Sequence, residues 1–228
     1  VVSMGTGTSF LWANKGGEIR HLIGSGVGGG TLAGLSSLTT GVHQYALIRK
    51  LCQDGDLSHI DLTMADLSRE QVGDLPPEAT AANFAKVADD ATPSDKMLGI
   101  VNLVLQSIGT MSVLACKCCG TDTVVLTGAL TMLPPARETF ELFKQLYHVN
   151  FIIPENATFA TAIGAALCSK GYEPTTFADL YHKLDSSVGD RGLTETLPPL
   201  FENQAEYDAF CARHNANAPQ QTDIRRAD

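Results

Sequence analysis

The stretch GSGVGGGT, residues 24–31, decides how the rest of this chain is interpreted. It follows an apolar run at residues 19–23 that is typical of a strand, and Leu32, Leu35 and Leu38 continue it with helical spacing. The pattern therefore predicts a strand, a glycine-rich loop and a helix that begins at the last glycines.

A second glycine-rich stretch, GTGTS at residues 5–9, follows another strand-like run at residues 1–4. Glycine lets a ligand approach main-chain N–H groups closely, and a loop that leads into a helix presents free N–H donors and a favourable dipole to an anion. Further hydroxyl donors are present on Thr6, Thr8, Ser9 and Thr31. Together the two loops predict a site for nucleotide phosphates.

The alternative interpretation of each loop is a tight turn between strands, because short glycine motifs are weak signals in isolation. Neither loop is a Walker A loop, since no Gly-Lys-Ser/Thr follows it. The loop at residues 5–9 is not a Rossmann fingerprint either, because no acidic residue stands at a strand end about 20 residues further on.

Short apolar runs alternate with helix-spaced stretches, which is typical of an α/β layered architecture. The pattern predicts strands at residues 10–12, 19–23, 124–128 and 151–153, a turn at 14–17, and helices at 43–53, 80–88, 96–119, 134–147 and 157–169. Ser94 or Asp95 is expected to cap the helix at 96–119. We expect residues 1–170 to form one domain, and residues 171–228 to form an appendage whose last dozen residues are disordered.

Composition excludes several classes of protein. A hydrophobic fraction of 44% with 18% charged residues is typical of a globular chain rather than a disordered one. The net charge of −9 argues against binding to nucleic acid or to anionic membranes, which need a basic face. No uninterrupted apolar run approaches the ~20 residues that span a bilayer, so no membrane association is predicted.

The six cysteines are too few for a disulfide scaffold in a chain of 228 residues, and three of them crowd into CKCC at residues 116–119. A zinc site needs a second pair at ligand spacing, which the sequence does not contain. We therefore predict no metal site and buried or half-buried free thiols, which fits a reducing cytoplasm.

Other candidate residues receive a structural interpretation. Four aspartates lie in one polar stretch without the spacing of a calcium loop, and we expect them to form a solvent-exposed face: Asp54, Asp56, Asp61 and Asp66. His43 and His59 have no nucleophile at a recognisable spacing and are expected at the surface. A packing role is expected for Trp12, Met97 and Met111.

An ordered series of motifs carries a family resemblance. The series is MGTGTS at residues 4–9, GSGVGGGTLAGLSSLTTG at 24–41, ATAANFAKV at 79–87, TPSDK at 92–96, VVLTGAL at 124–130 and PENATFATAIGAAL at 154–167. It resembles the C-terminal two-thirds of type II pantothenate kinases, over residues 1 to about 170. The resemblance implies the ribonuclease H-like fold shared by sugar kinases, actin and heat-shock ATPases. Residues 1–170 would be the second, nucleotide-binding domain and its closing helix.

The resemblance also implies roles for individual residues. Thr6 falls near the phosphates, Tyr45 falls where the family has an ATP-contacting tyrosine, and Gly128 and Ala129 fall at the adenosine-side turn. Ala129 replaces a serine of the family and has no hydroxyl to donate. The second phosphate cradle is assigned to Gly29, Gly30, Thr31, Leu32 and Ala33.

Two features depart from the family pattern. The Asp-x-Gly-Gly-Thr phosphate loop with its lysine, and the glutamate that acts as base, do not occur in this sequence, so no catalytic residue is assigned. We expect both to lie upstream of residue 1. The substrate-binding arginine falls at His21 with Arg20 beside it, and a one-residue adjustment restores the arginine. Otherwise His21 makes a weaker contact than an arginine would.

Three functional hypotheses follow from the resemblance. The first is a kinase that uses ATP and Mg²⁺ to phosphorylate pantothenate in coenzyme A biosynthesis, as a cytoplasmic homodimer formed through the helix at 96–119. The second is an ATPase module of the same superfamily that activates or reactivates a partner enzyme. The third is a nucleotide-binding remnant without turnover.

Overall fold

A five-stranded mixed sheet organises residues 1–170 in the computed structural model, which describes residues 1–70, 73, 75–169, 176, 179 and 203–215. Its strands are β1 (Val2–Met4), β2 (Thr8–Ala13), β3 (Ile19–Ser25), β6 (Thr123–Thr127) and β7 (Asn150–Ile152). A separate two-stranded sheet pairs β4 (Leu62–Thr63) with β5 (Thr80–Ala82). The expected α/β architecture is confirmed.

The strand order of the large sheet is β3-β2-β1-β6-β7. The first three strands are antiparallel, whereas β1, β6 and β7 are parallel, with Val2 opposite Leu126 and Ser3 opposite Thr127. The carboxyl ends of β1 and β6 are therefore neighbours, although about 120 residues separate them in the sequence. Whatever follows these two strands lies at the same edge of the sheet.

The helices connect the strands and cover the sheet. In the first unit they are α1 (Gly29–Thr40), α2 (Tyr45–Leu51), α3 (Met64–Leu67), α4 (Pro93–Cys119), α5 (Pro134–Tyr147) and α6 (Ala160–Cys168). Short 3-10 turns occupy Leu57–His59, Ala129–Met132 and Ala157–Phe159. The periodic stretches of the sequence thus predicted most helices to within a few residues.

Helix α4 forms the centre of the core. Thirteen of its residues are buried, because α1, α2, α5 and β2 pack around it. It is also the one helix in the described part of the chain that is long and apolar enough to cross a membrane by composition, and 61% of that window is buried inside the protein. Its apolar character is therefore used for packing in this fold.

The cap of α4 differs from the expected one. Thr92 is the N-cap, its hydroxyl accepts from the amide of Asp95, and the Asp95 carboxylate accepts from the amide of Thr92. This reciprocal capping box begins the helix at Pro93, so the prediction of Ser94 or Asp95 as the cap was wrong by two or three residues. Gly120, in the left-handed conformation, ends the helix.

The predicted helix at residues 80–88 does not form. Residues 80–82 are strand β5, and Phe84 has a positive φ of 58°. The amide groups of Lys86 and Ala88 donate to the carbonyl oxygens of Ile60 and His59. These tertiary partners replace the i−4 carbonyls that a helix would need, and helical composition alone does not reveal them.

The contacts between Cα atoms divide the chain into two units, Val1–Lys170 and Gly171–Asp228. In the second unit the structure describes helix α7 (Gln204–Asn215) and a hydrogen bond between the Thr176 hydroxyl and the Asp179 carboxylate. The prediction of a disordered end falls outside the described residues.

Candidate functional site

The two glycine-rich loops meet at the carboxyl edge of the sheet. Residues 5–7 follow β1, and residues 26–28 connect β3 to α1. The amides of Gly29 and Gly30, the first two residues of α1, donate to the carbonyl oxygens of Gly5 and Thr6, both over 2.8 Å. The start of helix α1 is thus hydrogen-bonded directly to the loop at residues 5–7.

This docking requires glycine on both sides. A Cβ atom on Gly28 would lie 2.7 Å from the Cα of Gly7, and one on Gly7 would lie 2.6 Å from the carbonyl oxygen of Ser25. Such distances are far below van der Waals contact, so any side chain would force the loops apart. The glycines therefore serve loop-to-loop packing, which the sequence interpretation had not included.

The amides of Gly29 and Gly30 were expected as free donors for phosphate, and the structure gives them carbonyl partners. Two of the predicted hydroxyl donors are also engaged, because Thr8 donates to the carbonyl of Val27 and Thr31 donates to that of Gly26, over 2.8 and 2.7 Å. Thr6 is exposed on the loop. Its hydroxyl is thus the accessible one among these three threonines.

A third turn, Gly128-Ala129, follows β6 at the same edge. Gly128 has φ 98° and ψ 175°, and a Cβ there would overlap the carbonyl oxygen of Met4 at the end of β1. The hydroxyl of Tyr45, at the start of α2, donates to the carbonyl of Ala129 over 2.8 Å. The structure therefore places Tyr45 beside the Gly128 turn.

The other predicted site residues lie at different depths. Leu32 is 1% exposed and packs in the core, so its side chain does not reach a ligand, while Ala33 is half-buried. Arg20 and His21 are exposed on the edge strand β3. The Arg20 guanidinium lies 4.6 Å from the ring centre of Trp12, which is half-buried rather than in the core.

A cleft of about 1150 Å³ lies away from the glycine loops. It lies between α4, α5 and the segment after α2, and its lining includes Gln53, Asn102, Gln106 and Glu138. A smaller pocket of about 70 Å³ lies beside the start of β1 and the end of α4. Neither pocket includes residues of the two glycine loops.

Asp61 corrects the expectation of a solvated acidic face, because it is 0% exposed. Its carboxylate accepts from the side-chain amides of Asn102 and Asn83 and from the Thr80 hydroxyl, over 2.7, 3.1 and 3.2 Å, and from the amide of Phe84. The position of Asp61 between Ile60 and Leu62 is the signal in the sequence that indicates burial.

His59 contacts a buried carboxylate. Its Nδ1 lies 3.2 Å from Oδ2 of Asp95, and about half of the imidazole is exposed. Burial pushes the pKa of Asp95 upward, but hydrogen bonds from the amides of Asp56 and Thr92, from the Thr92 hydroxyl and from His59 hold it at about 2. The hydrogen bond to Asp95 raises the pKa of His59 above its usual value.

This pair predicts a pH dependence of stability. Because the folded pKa of His59 is raised, its contribution is fully present below about pH 6.5 and declines as the pH rises through the raised value. The difference in unfolding free energy between the wild type and His59→Gln should therefore shrink from pH 6 to pH 9, as measured by urea denaturation. A difference that is constant over that range would contradict the ion pair.

The described cysteines are free thiols, with Cys52 and Cys116 buried, Cys119 half-buried, and Cys118 and Cys168 exposed. Burial raises the pKa of Cys52 and of Cys116, which keeps these two thiols protonated and unreactive. Among the residues that the structure describes, no three His, Cys, Asp or Glu side chains group in a way that would hold a metal ion.

The fold and the loops define a class of protein: a mixed α/β chain in which three glycine-dependent turns converge at the carboxyl ends of two parallel strands. Ligands of open α/β sheets bind at such a crevice. The family model named Fumble matches residues 1–142, and the chain belongs to that family.

Curated relatives are consistent with this assignment. The chain is 31% identical over 172 residues to a type II pantothenate kinase of Oceanobacillus iheyensis, covering 74% of this chain and 64% of that protein. It is 32% identical over 168 residues to one of Staphylococcus haemolyticus, covering 72% and 63%. For one of Staphylococcus aureus the identity is 29% over 178 residues, with 74% and 64% covered. The resemblance predicted from the motifs is confirmed, and the aligned part spans about 64% of the length of these relatives.

Proposed function

We propose that this chain is the nucleotide-binding part of an ATP-dependent pantothenate kinase, which forms 4'-phosphopantothenate in coenzyme A biosynthesis. The observation that supports this most directly is the convergence of residues 5–7, residues 26–31 and the Gly128 turn beside Tyr45. The names of the relatives favour a kinase over an activating ATPase module.

In this proposal the phosphates lie against the loop at residues 5–7, where Thr6 is exposed. They also lie near the start of α1, whose dipole favours negative charge. The adenosine lies against the Gly128-Ala129 turn and Tyr45. Leu32 and Ala33 are proposed to pack beneath the phosphate cradle that begins at Gly29 and Gly30. Arg20 and His21 are proposed to contact the substrate, because both are exposed on β3.

ATP is proposed as the ligand of these loops, where the Thr6 hydroxyl is accessible, and it supplies the transferable phosphoryl group. Mg²⁺ is proposed as the usual partner of the triphosphate in phosphoryl transfer. The stretches at residues 5–9 and 24–31 contain no carboxylate, so the phosphates themselves would be the main ligands of the ion on this side.

We also infer the finer fold class, the ribonuclease H-like domain of the actin and sugar-kinase type. The mixed sheet supports it, with an antiparallel β1-β2-β3 meander and two further strands parallel to β1. A cytoplasmic homodimer through α4 remains part of the proposal. Leu114, 56% exposed, is an apolar side chain of α4 that is accessible for such a contact.

A coupled assay of ADP release tests the kinase proposal. We expect the product of the complete gene to release ADP only when pantothenate is added. Residues 1–228 alone should bind nucleotide weakly and phosphorylate nothing, because neither the Asp-x-Gly-Gly-Thr loop nor an assigned base is present in them. ATP turnover that is indifferent to pantothenate would instead support the ATPase module, and robust phosphorylation by residues 1–228 would refute our account of the base.

A further inference from the structure

The inward face of helix α2 carries a cation. Tyr45, Ile48, Arg49 and Cys52 follow the i, i+3, i+4, i+7 spacing of residues that face a core. Ile48 and Cys52 are buried, and Tyr45 packs against the core from its edge. The pattern calls for an apolar side chain at position 49, and the chain has a half-buried arginine there instead.

The guanidinium of Arg49 is incompletely satisfied. Within the described residues, its Nε is the buried side-chain nitrogen that has no hydrogen-bond partner, and no ion pair of Arg49 occurs among them. A buried donor without an acceptor is unfavourable, and a guanidinium cannot lose its proton to avoid the cost. Because this nitrogen is inaccessible to solvent, the side chain must reorient before a bound ligand can supply the acceptor that removes the penalty.

The position of Arg49 indicates which ligand. Residues i and i+4 are neighbours on a helix surface, so Arg49 lies one turn beyond Tyr45. The Tyr45 hydroxyl reaches the Ala129 carbonyl at the Gly128 turn. Burial raises the pKa of Tyr45, while the guanidinium of Arg49 acts against that rise, as expected for two neighbouring groups.

We propose that Arg49 binds the adenosine end of the nucleotide, donating from its guanidinium to acceptor atoms of the adenine or ribose beside Tyr45. This inference rests on the nucleotide site proposed above and adds a residue to it. A planar guanidinium suits both the hydrogen-bond acceptors and the face of an aromatic base. The phosphates, in contrast, are assigned to the glycine loops.

The competing explanation is purely structural. Arg49 lies in the last turn of α2, where a positive charge is favourable to the helix dipole. In that case its removal lowers the stability of the free protein and leaves the affinity for nucleotide unchanged. The two explanations therefore predict different stabilities of the free protein and different affinities for nucleotide.

Calorimetric titration with ATP and with inorganic tripolyphosphate, of the same protein that is assayed for pantothenate-dependent ADP release, distinguishes the two explanations. The variants are Arg49→Met and Lys50→Met. Lys50 is the exposed neighbour of Arg49, so its variant loses the same charge from the same helix. We expect Arg49→Met to raise the Kd of ATP by about 10-fold to 100-fold, the range for losing a hydrogen bond of a charged group. Its Kd for tripolyphosphate should match that of Lys50→Met, and its Tm without ligand should be at least as high, because the unsatisfied buried donor is removed.

The outcomes separate this inference from the proposed function. If the wild type binds no ATP, the nucleotide site itself is wrong and Arg49 has no such role. If the wild type binds ATP and Arg49→Met binds it within twofold as tightly, the site stands and the inference is overturned. An equal loss of tripolyphosphate affinity would also overturn the adenosine placement. Should Arg49→Met lose its helical circular dichroism, Arg49→Gln is measured in its place.

Discussion

The substitution Gly128→Ala is expected to destabilise the chain by about 3–5 kcal/mol. Two effects add. The conformation with φ 98° and ψ 175° is nearly exclusive to glycine, and the new Cβ overlaps the carbonyl oxygen of Met4. The turn is held by hydrogen bonds from the amide of Gly128 to the carbonyl of Ala157 and from Thr131 to the carbonyl of Gly128, so relaxation would break these contacts.

Gly120→Ala is the matched control. Gly120 also has a positive φ, 63°, but a Cβ there meets nothing within 4 Å. Its variant should lose only about 1–2 kcal/mol, the cost of a left-handed conformation in a residue with a side chain. Urea denaturation measures both losses, and an equal loss in the two variants would show that the contact with Met4 is unimportant.

The second large effect is expected from Asp61→Ala, at about 3–5 kcal/mol, because one partner of a buried charged network is removed. The donors of Asn102, Asn83, Thr80 and the amide of Phe84 would lose their shared acceptor. These donors join β5 and the following turn to α4. The segment at residues 80–84 should therefore also exchange its amide hydrogens faster.

Asp54→Ala is the control for Asp61, because Asp54 is exposed and lies in the same polar segment of the chain. Its effect should stay within about 0.5 kcal/mol. Asp61→Asn keeps the shape but turns an acceptor into a donor that faces the Asn102 amide, so we expect it to be destabilising as well. Wild-type stability of both Asp61 variants would mean that the network does not hold the segment.

The elements that carry the candidate site were predictable because their signals are local. A strand, a glycine loop and a helix follow one another between residues 19 and 40, and periodicity reveals each of them. The motif series then indicated the family, and it named Tyr45 and Gly128, which the structure brings to one place through Ala129. These inferences needed no knowledge of distant contacts.

The remaining features depend on partners far apart in the sequence. The segment at residues 80–88 has helical composition, yet its amides bond to Ile60 and His59. Asp61 is buried, and its carboxylate accepts a hydrogen bond from the side-chain amide of Asn102, which is 41 residues away. No periodicity of one element encodes such pairs, because they form only when the elements pack.

By itself, the sequence determined the α/β class, the two glycine loops and the family of this protein. Only the tertiary structure decided what the glycines do, since the amides of Gly29 and Gly30 bond to the first loop and their missing side chains allow that contact. The tertiary structure also buries the Nε of Arg49 without a hydrogen-bond acceptor among the described residues. The physical reason is the same in both cases: whether a donor meets an acceptor depends on the elements that folding packs beside it, and those elements are distant in the sequence.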